Sequence, residues 1–383
     1  MKKVILFATT IDQQLQFLEG IPSKLADLGW TVHVVSSPGN RLVGLADVRG
    51  VLVHPLPMRR APSALHDLVA LWAWIRIIQK IRPSVVVAGS PKASLLCLLA
   101  AWWGRVPRRV YMLHGLRLET ARGMRRRILV GVERAAMLCS TQVFAVSESL
   151  RQKTVSLALT SREKVSVVSA GTPNGIDITE FDRNRFDEIV VAKAARQIGL
   201  TPDLPVVGFV GRLTHDKGLG DLEMALRSLH DAGMLIQLLL VGGIDDQSGA
   251  EALERLRAIG MPVISTGHVE KTAVYYQLMD VFCLPSFREG FSTVVLEASC
   301  SGIPVVVSDA TGVVDAVRDG ITGLVYRVGN GRQLASQLAL LVNEVEIARS
   351  MADEGREWVR KTFARHIIQA AFLREYEALL GEK

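Results

Sequence analysis

The 383-residue sequence is poor in cysteine, in aromatic residues and in long apolar runs. Its four cysteines, Cys97, Cys139, Cys283 and Cys300, form no CxxC pair and have no histidine at zinc spacing. That excludes a disulfide scaffold and a structural zinc module. All four stand in apolar stretches and read as reduced core thiols of an intracellular protein. No apolar run reaches the roughly 18 residues that a membrane-crossing helix needs, so none is expected. Met1-Lys2-Lys3 leads straight into the strand-like VILFA with no small-residue cleavage site, so no signal peptide is expected. Neither GxxxxGK[ST] nor GxGxxG is present, which removes the two commonest nucleotide fingerprints. There is no RNP motif, zinc finger or aromatic–basic sheet face, so nucleic acid is not an expected partner.

What is present is a folded composition, 49% hydrophobic and 22% charged, on a chain long enough for two domains. The net charge of +7 is unevenly placed. Residues 1–173 sum to +15 and residues 174–383 to −8, and five of the six tryptophans lie in the first 103 residues. The first half is therefore suited to an anionic surface, and the second is not.

Val/Ile-rich runs of strand length alternate with longer amphipathic stretches. Strands are predicted at 3–8, 31–36, 51–54, 84–89, 109–113, 142–146 and 165–168, with helices near 13–28, 64–81, 92–103, 120–139 and 147–158. Residues 174–204 are polar and irregular. A second alternation follows, with strands at 205–211, 235–242, 262–266, 281–285, 304–308 and 323–326, and helices near 331–346, 348–362 and 366–380. Continuous apolar strands imply parallel sheets covered on both faces. We expect an α/β protein of two doubly wound domains: 1–173, a linker 174–204, and 205–365, with the last helix, 366–383, packing back on the first domain. Ligands of such folds bind at the carboxyl ends of strands.

Two loops after predicted strands carry the chemistry. Gly211-Arg212-Leu213-Thr214-His215-Asp216-Lys217-Gly218 places a guanidinium and an ammonium beside glycines at the start of a helix. That is a diphosphate-binding pattern, although such a pair alone also fits a solvated loop. The second loop runs from Pro285 to Ala298 and holds Glu289, Gly290, Phe291, Ser292 and Glu297. Ser292 is a candidate N-cap. Glu289 then precedes the helix and Glu297 lies within it, with eight helical residues separating them by roughly 12 Å. That spacing suits two ends of a long ligand. Glu297 is either an ordinary surface carboxylate or a buried one that needs donors, and sugar hydroxyls would supply them.

Taken together, Val210-Gly211-Arg212-Leu213 with Lys217-Gly218, the Glu-x7-Glu element from Glu289 to Glu297, and Asn174-Gly175-Ile176-Asp177 resemble the retaining nucleotide-sugar glycosyltransferases of family 4. The resemblance spans essentially the whole chain. It implies the GT-B fold, two Rossmann-like domains facing across a cleft. It implies that Arg212 and Lys217 bind the donor diphosphate and stabilise the leaving nucleotide, and that Glu289 faces the transferred sugar. Glu297 would bond the ribose hydroxyls, and backbone amides around Gly290, Phe291 and Ser292 would meet the distal phosphate. His114, after the strand at 109–113, is carried over as a catalytic-site residue, with a purely structural histidine as the other reading. Ser147 is a weaker candidate that would also cap a helix. The family's Gly-Gly loop after the first strand is replaced by Thr9-Thr10-Ile11-Asp12. Asp12 either binds an acceptor hydroxyl or caps the following helix. No DxD element stands in a suitable loop, Asp245-Asp246 reads as a helix-capping pair, and neither a metal nor another cofactor is expected.

Three stretches of the first half place basic residues beside apolar helices: 71–82, 95–109 and 122–134, the last with Arg122, Arg125, Arg126, Arg127 and Arg134. Such stretches suit an interfacial position on an anionic bilayer. With the resemblance, they imply transfer from a nucleotide diphosphate-sugar, by precedent a UDP-sugar, to a polyprenyl-diphosphate-linked saccharide. The enzyme would work peripherally at the cytoplasmic face of the membrane in surface-polysaccharide assembly. The rival readings are a sugar-nucleotide epimerase of the same fold and a non-catalytic sugar-nucleotide or membrane-binding protein.

Overall fold

The structure, a computed structural model, describes residues 2–58 and 63–381. The chain divides into two compact units, one of Met1–Asn174 with His366–Lys383 and one of Gly175–Arg365.

The first unit is built on seven parallel strands, β1 (Val4–Ala8), β2 (Thr31–Ser36), β3 (Val51–Pro55), β4 (Val85–Ala88), β5 (Arg108–Leu113), β6 (Gln142–Ala145) and β7 (Val165–Val167). Their order is β3-β2-β1-β4-β5-β6-β7. Every residue of β4 is buried, as the unbroken VVVA predicts for a central parallel strand. The helices are α1 (Ile21–Asp27), α2 (Asn40–Ala46), α3 (Ala64–Ile81), α4 (Pro91–Trp103), α5 (Gly123–Cys139) and α6 (Glu148–Ser156). The helix predicted over 13–28 is broken. Asp12–Leu18 is a 3-10 turn, and α1 begins after Gly20, whose φ is +78°.

The second unit begins with α7 (Glu188–Ile198), which occupies part of the stretch read as linker. Its amphipathic pattern is masked in the sequence by the polar turns around it. Six parallel strands follow, β8 (Val206–Val210), β9 (Gln237–Val241), β10 (Val263–Ser265), β11 (Val281–Leu284), β12 (Val305–Ser308) and β13 (Leu324–Tyr326), in the order β10-β9-β8-β11-β12-β13. The helices are α8 (Leu219–Asp231), α9 (Gln247–Arg257), α10 (Ala273–Tyr276), α11 (Thr293–Cys300), α12 (Gly331–Asn343) and α13 (Val345–Thr362). The chain ends in α14 (Arg365–Gly381), which packs in the first unit. There Tyr376 meets Phe7 of β1 edge to face at 5.7 Å, and buried Gln369 donates to the Glu19 carbonyl at 2.7 Å. The final residues 382–383 of that predicted helix lie outside the described residues.

Both sheets reverse direction once, between β1 and β4 and between β8 and β11. Crevices form outside the carboxyl ends of strands at such a switch point. The loops after β8 and β11 are those singled out in the sequence, so topology explains why segments more than 60 residues apart converge.

Candidate functional site

In the second unit the two loops are tied together at several points. Lys217 stands in a short 3-10 turn, His215–Lys217, after β8. Its Nζ pairs with Glu289 Oε1 at 2.5 Å, and Ser286 Oγ donates to the same oxygen at 2.8 Å. Ser286 is itself placed by Ser308 at the end of β12, whose Oγ donates to the Ser286 carbonyl at 2.5 Å. Asp216 pairs with Arg288, and the Phe287 amide donates to the Asp216 carbonyl at 2.8 Å. Gly218 makes this approach possible. Its φ is +70°, and a Cβ there would lie 1.8 Å from the Pro285 carbonyl oxygen.

A third loop, after β12, completes the arrangement and was not found by sequence reasoning. The Glu289 amide donates to the Thr311 carbonyl at 2.8 Å and the Ser292 amide to the Gly312 carbonyl at 3.0 Å. The Ser292 amide, expected to meet a phosphate, is thus already bonded within the protein. Ser292 does occupy the N-cap of α11 but makes no side-chain cap bond. Its buried Oγ has no hydrogen-bond partner among the described residues. Gly290 and Phe291 lie in the same loop between β11 and α11.

Glu297 is half-buried within α11, which overturns the ordinary surface reading. Tyr276 Oη donates to its Oε2 at 2.7 Å. Burial pushes the Glu297 carboxyl up to about 7, the Tyr276 bond pulls the other way, and the charge of Glu180 adds to the rise. Tyr276 ends α10 and gave no signal in the sequence. Arg212 is largely exposed, just beyond Gly211, and pairs with Asp245. Of the Asp245-Asp246 pair, therefore, only Asp246 caps a helix, accepting from the Gly249 amide of α9 at 3.0 Å.

In the first unit His114 follows β5. Its ring stacks on Phe17 with centroids 4.9 Å apart. A Cβ at Gly89 would lie 2.9 Å from its Nε2, so the bare backbone after β4 admits the imidazole. Burial draws the His114 pKa down to about 4. The cavity beside it, about 20 Å³, has room for a water. Asp12 is accounted for by the fold: it accepts from the Arg41 and Leu42 amides at 3.1 and 2.7 Å and so caps α2 instead of the next helix. Thr10 plays the same part for α4, accepting from the Ala93 amide at 3.1 Å. Ser147 caps α6 through the Leu150 amide at 3.3 Å.

Of the basic residues in the three stretches, Arg76, Lys80, Arg105 and Arg134 are exposed, whereas Arg108 and Arg109 are half-buried in β5 and donate to the Leu379, Cys139 and Val106 carbonyls. Arg122, Arg125, Arg126 and Arg127 lie in the open at the start of α5 beside exposed Met124 and Ile128. Within the apolar segment 95–103, most of α4 is core, but Trp102 and Trp103 at its end are exposed. Among the described residues no helix is long and apolar enough to cross a membrane. No group of three or more His, Cys, Asp or Glu that could hold a metal ion is found among them.

Comparison with known proteins agrees with this architecture. A model of glycosyltransferase family 4 matches residues 23–180, and one of group 1 glycosyl transferases matches residues 204–344. The chain is 30% identical over 381 residues to the capsular polysaccharide biosynthesis glycosyltransferase CapM of Staphylococcus aureus, covering 99% of this chain and 98% of CapM. It is 23% identical over 314 residues, 80% of each chain, to the N,N'-diacetylbacillosaminyl-diphospho-undecaprenol alpha-1,3-N-acetylgalactosaminyltransferase of Campylobacter jejuni. Its fold matches that of Anabaena HepE, solved with UDP and glucose, at a TM-score of 0.80 and 19% identity over 98% of this chain and 100% of HepE.

Proposed function

The chain belongs to the family 4 glycosyltransferases with the GT-B fold, and we propose that it transfers a hexose or N-acetylhexosamine from a UDP-sugar to a lipid-linked saccharide in surface-polysaccharide assembly. The observation that carries this reading is the meeting of Lys217 and Glu289 at the carboxyl edge of β8 and β11, a cation and a carboxylate supplied by separate loops. Lys217, with Arg212, stabilises the negative charge that develops on the departing diphosphate, where preorganised cations lower a barrier most, and takes the place of a metal ion. Ser292 Oγ, buried and without a hydrogen-bond partner among the described residues, is a ready donor to a phosphate oxygen. Glu289 meets hydroxyls of the transferred sugar, and Glu297 those of the ribose. His114, kept neutral by burial, bonds a sugar hydroxyl or a reacting oxygen.

Transfer keeps the anomeric configuration. The bond from the sugar to the diphosphate oxygen breaks as the acceptor oxygen bonds the same carbon on the same face. The acceptor proton passes to the leaving phosphate. The lipid-linked acceptor is supported by the diphospho-undecaprenol in the name of the Campylobacter relative and by the exposed arginines of α5, which suit a peripheral position at the cytoplasmic face of the membrane. UDP-sugars are screened by thermal stabilisation and by transfer to lipid-linked saccharides. Lys217→Ala and Glu289→Ala are expected to fold and to lose transfer by about 10²-fold or more. Transfer at the wild-type rate in either folded variant would overturn the assigned donor site.

A further inference from the structure

One groove in the first unit has no part in the site described above. It lies beyond the carboxyl ends of β2 and β3, against the first half of α3, with a volume of about 550 Å³. Pro38, Leu56, Met58, Leu65, Val69 and Ala73 supply its apolar wall, and the Lys92–Asp67 ion pair at 2.5 Å bounds it with charge.

Resting on the lipid-linked acceptor proposed above, we infer that this groove holds the isoprenoid chain of that acceptor next to its diphosphate. Three observations lead there. First, the groove wall continues onto open surface. Leu65 and Val69 line the groove yet are 77% and 71% exposed, and Leu68 and Trp72 extend the same stripe of α3 at 60% and 63%. These positions recur at helical spacing, so an apolar surface runs unbroken from the groove along the helix. A compact ligand would not need that continuation, whereas a chain longer than the groove would. Apolar surface of this kind on one face marks an interaction site.

Second, the charge around it suits an anionic amphiphile. Helices α3, α4 and α5 carry seven Lys or Arg against two Asp or Glu. Both acids are engaged, Asp67 with Lys92 and buried Glu133 with the Tyr111 hydroxyl at 2.8 Å. Arg76 sits over the Trp72 ring at 5.1 Å, a cation at the end of the apolar stripe. Third, the groove shares an edge of the sheet with His114. From β2 to β5 there are three strand spacings, about 14 Å. A diphosphate and its first sugars span that distance, which puts the polar head between the groove and His114.

The test is isothermal titration with farnesyl diphosphate below its micelle concentration, with pyrophosphate and dodecyl phosphate as controls. The proteins are the wild type, Ala73→Trp, which fills the groove, and Val69→Asp, which charges its wall. The wild type is expected to bind farnesyl diphosphate at least about tenfold more tightly than pyrophosphate, and both variants to lose that margin. Variants that bind farnesyl diphosphate as the wild type does would overturn the inference. Dodecyl phosphate bound as tightly would also overturn it, since it would assign the groove to a straight acyl chain of the bilayer. Should Ala73→Trp fail to fold, Val69→Asp at its exposed position decides alone. Stabilisation by UDP keeps the two readings apart. If the wild type fails to respond to UDP, the donor reading fails; if it responds but shows no preference for the isoprenoid, only the groove assignment fails.

Discussion

Replacing Glu297 by Gln keeps the acceptor oxygen for Tyr276 and removes the charge, and its effect should depend steeply on pH. The carboxyl is raised from its ordinary value to about 7, first by burial. A carboxyl with a raised folded-state pKa binds more protons folded than unfolded between the two values. The folded form of the wild type is therefore progressively penalised as pH rises through that window. Gln carries no such penalty. Between about pH 5 and pH 8 the stability of Glu297→Gln relative to wild type should increase by on the order of 2 kcal/mol. Urea unfolding at several pH values reads this directly. The same carboxyl makes a second prediction for binding. Ribose hydroxyls favour the charged form, so UDP should lower this pKa and release a proton near pH 7. Calorimetry in buffers of different ionisation enthalpy should show that release in the wild type and not in Glu297→Gln. A relative stability that stays flat from pH 5 to pH 8 would refute the argument from burial. Proton uptake on UDP binding, or no buffer dependence, would refute the contact with the ribose.

Gly218→Ala introduces a Cβ 1.8 Å from a backbone carbonyl at a φ of +70°, so the β8 and β11 loops must part; donor binding should weaken by about tenfold or more and the melting temperature should fall. His114→Asn removes a group that ionises only near pH 4, and a folded state that keeps the imidazole neutral loses stability as pH falls from its ordinary value towards that point. Below about pH 6 the variant should therefore resist acid unfolding better than the wild type, as read by circular dichroism. Neutralising Arg125, Arg126 and Arg127 together should cost about 3 kcal/mol of attraction to anionic vesicles, roughly a hundredfold in partition measured by sedimentation, with no change on neutral vesicles.

The sheets were legible because buried parallel strands write themselves as unbroken apolar runs, and the loops after β8 and β11 could be located from them. Helices whose signal is short or surrounded by polar turns were not. Glu188–Ile198 falls in the stretch read as irregular, Asn40–Ala46 is absent from the predicted helices, and Gly20 breaks what looked like one helix. Within the candidate sites the limit is of another kind. Asp12 precedes a predicted helix and Glu297 lies within one, and local sequence leaves each with a hydroxyl-binding reading beside one that involves no ligand. Asp12 is engaged by the amides of Arg41 and Leu42, about 30 residues on, which spend its acceptor capacity on the fold. Glu297 receives Tyr276, from about 20 residues earlier, in a setting where burial holds its proton to about neutral pH. Backbone amides at a helix start satisfy a charged acceptor fully, whereas one phenol leaves a raised carboxyl still in need of donors. The partners that separate these two acids are ones that only the fold delivers, and they make Glu297, not Asp12, the carboxylate whose protonation should follow the proposed ligand.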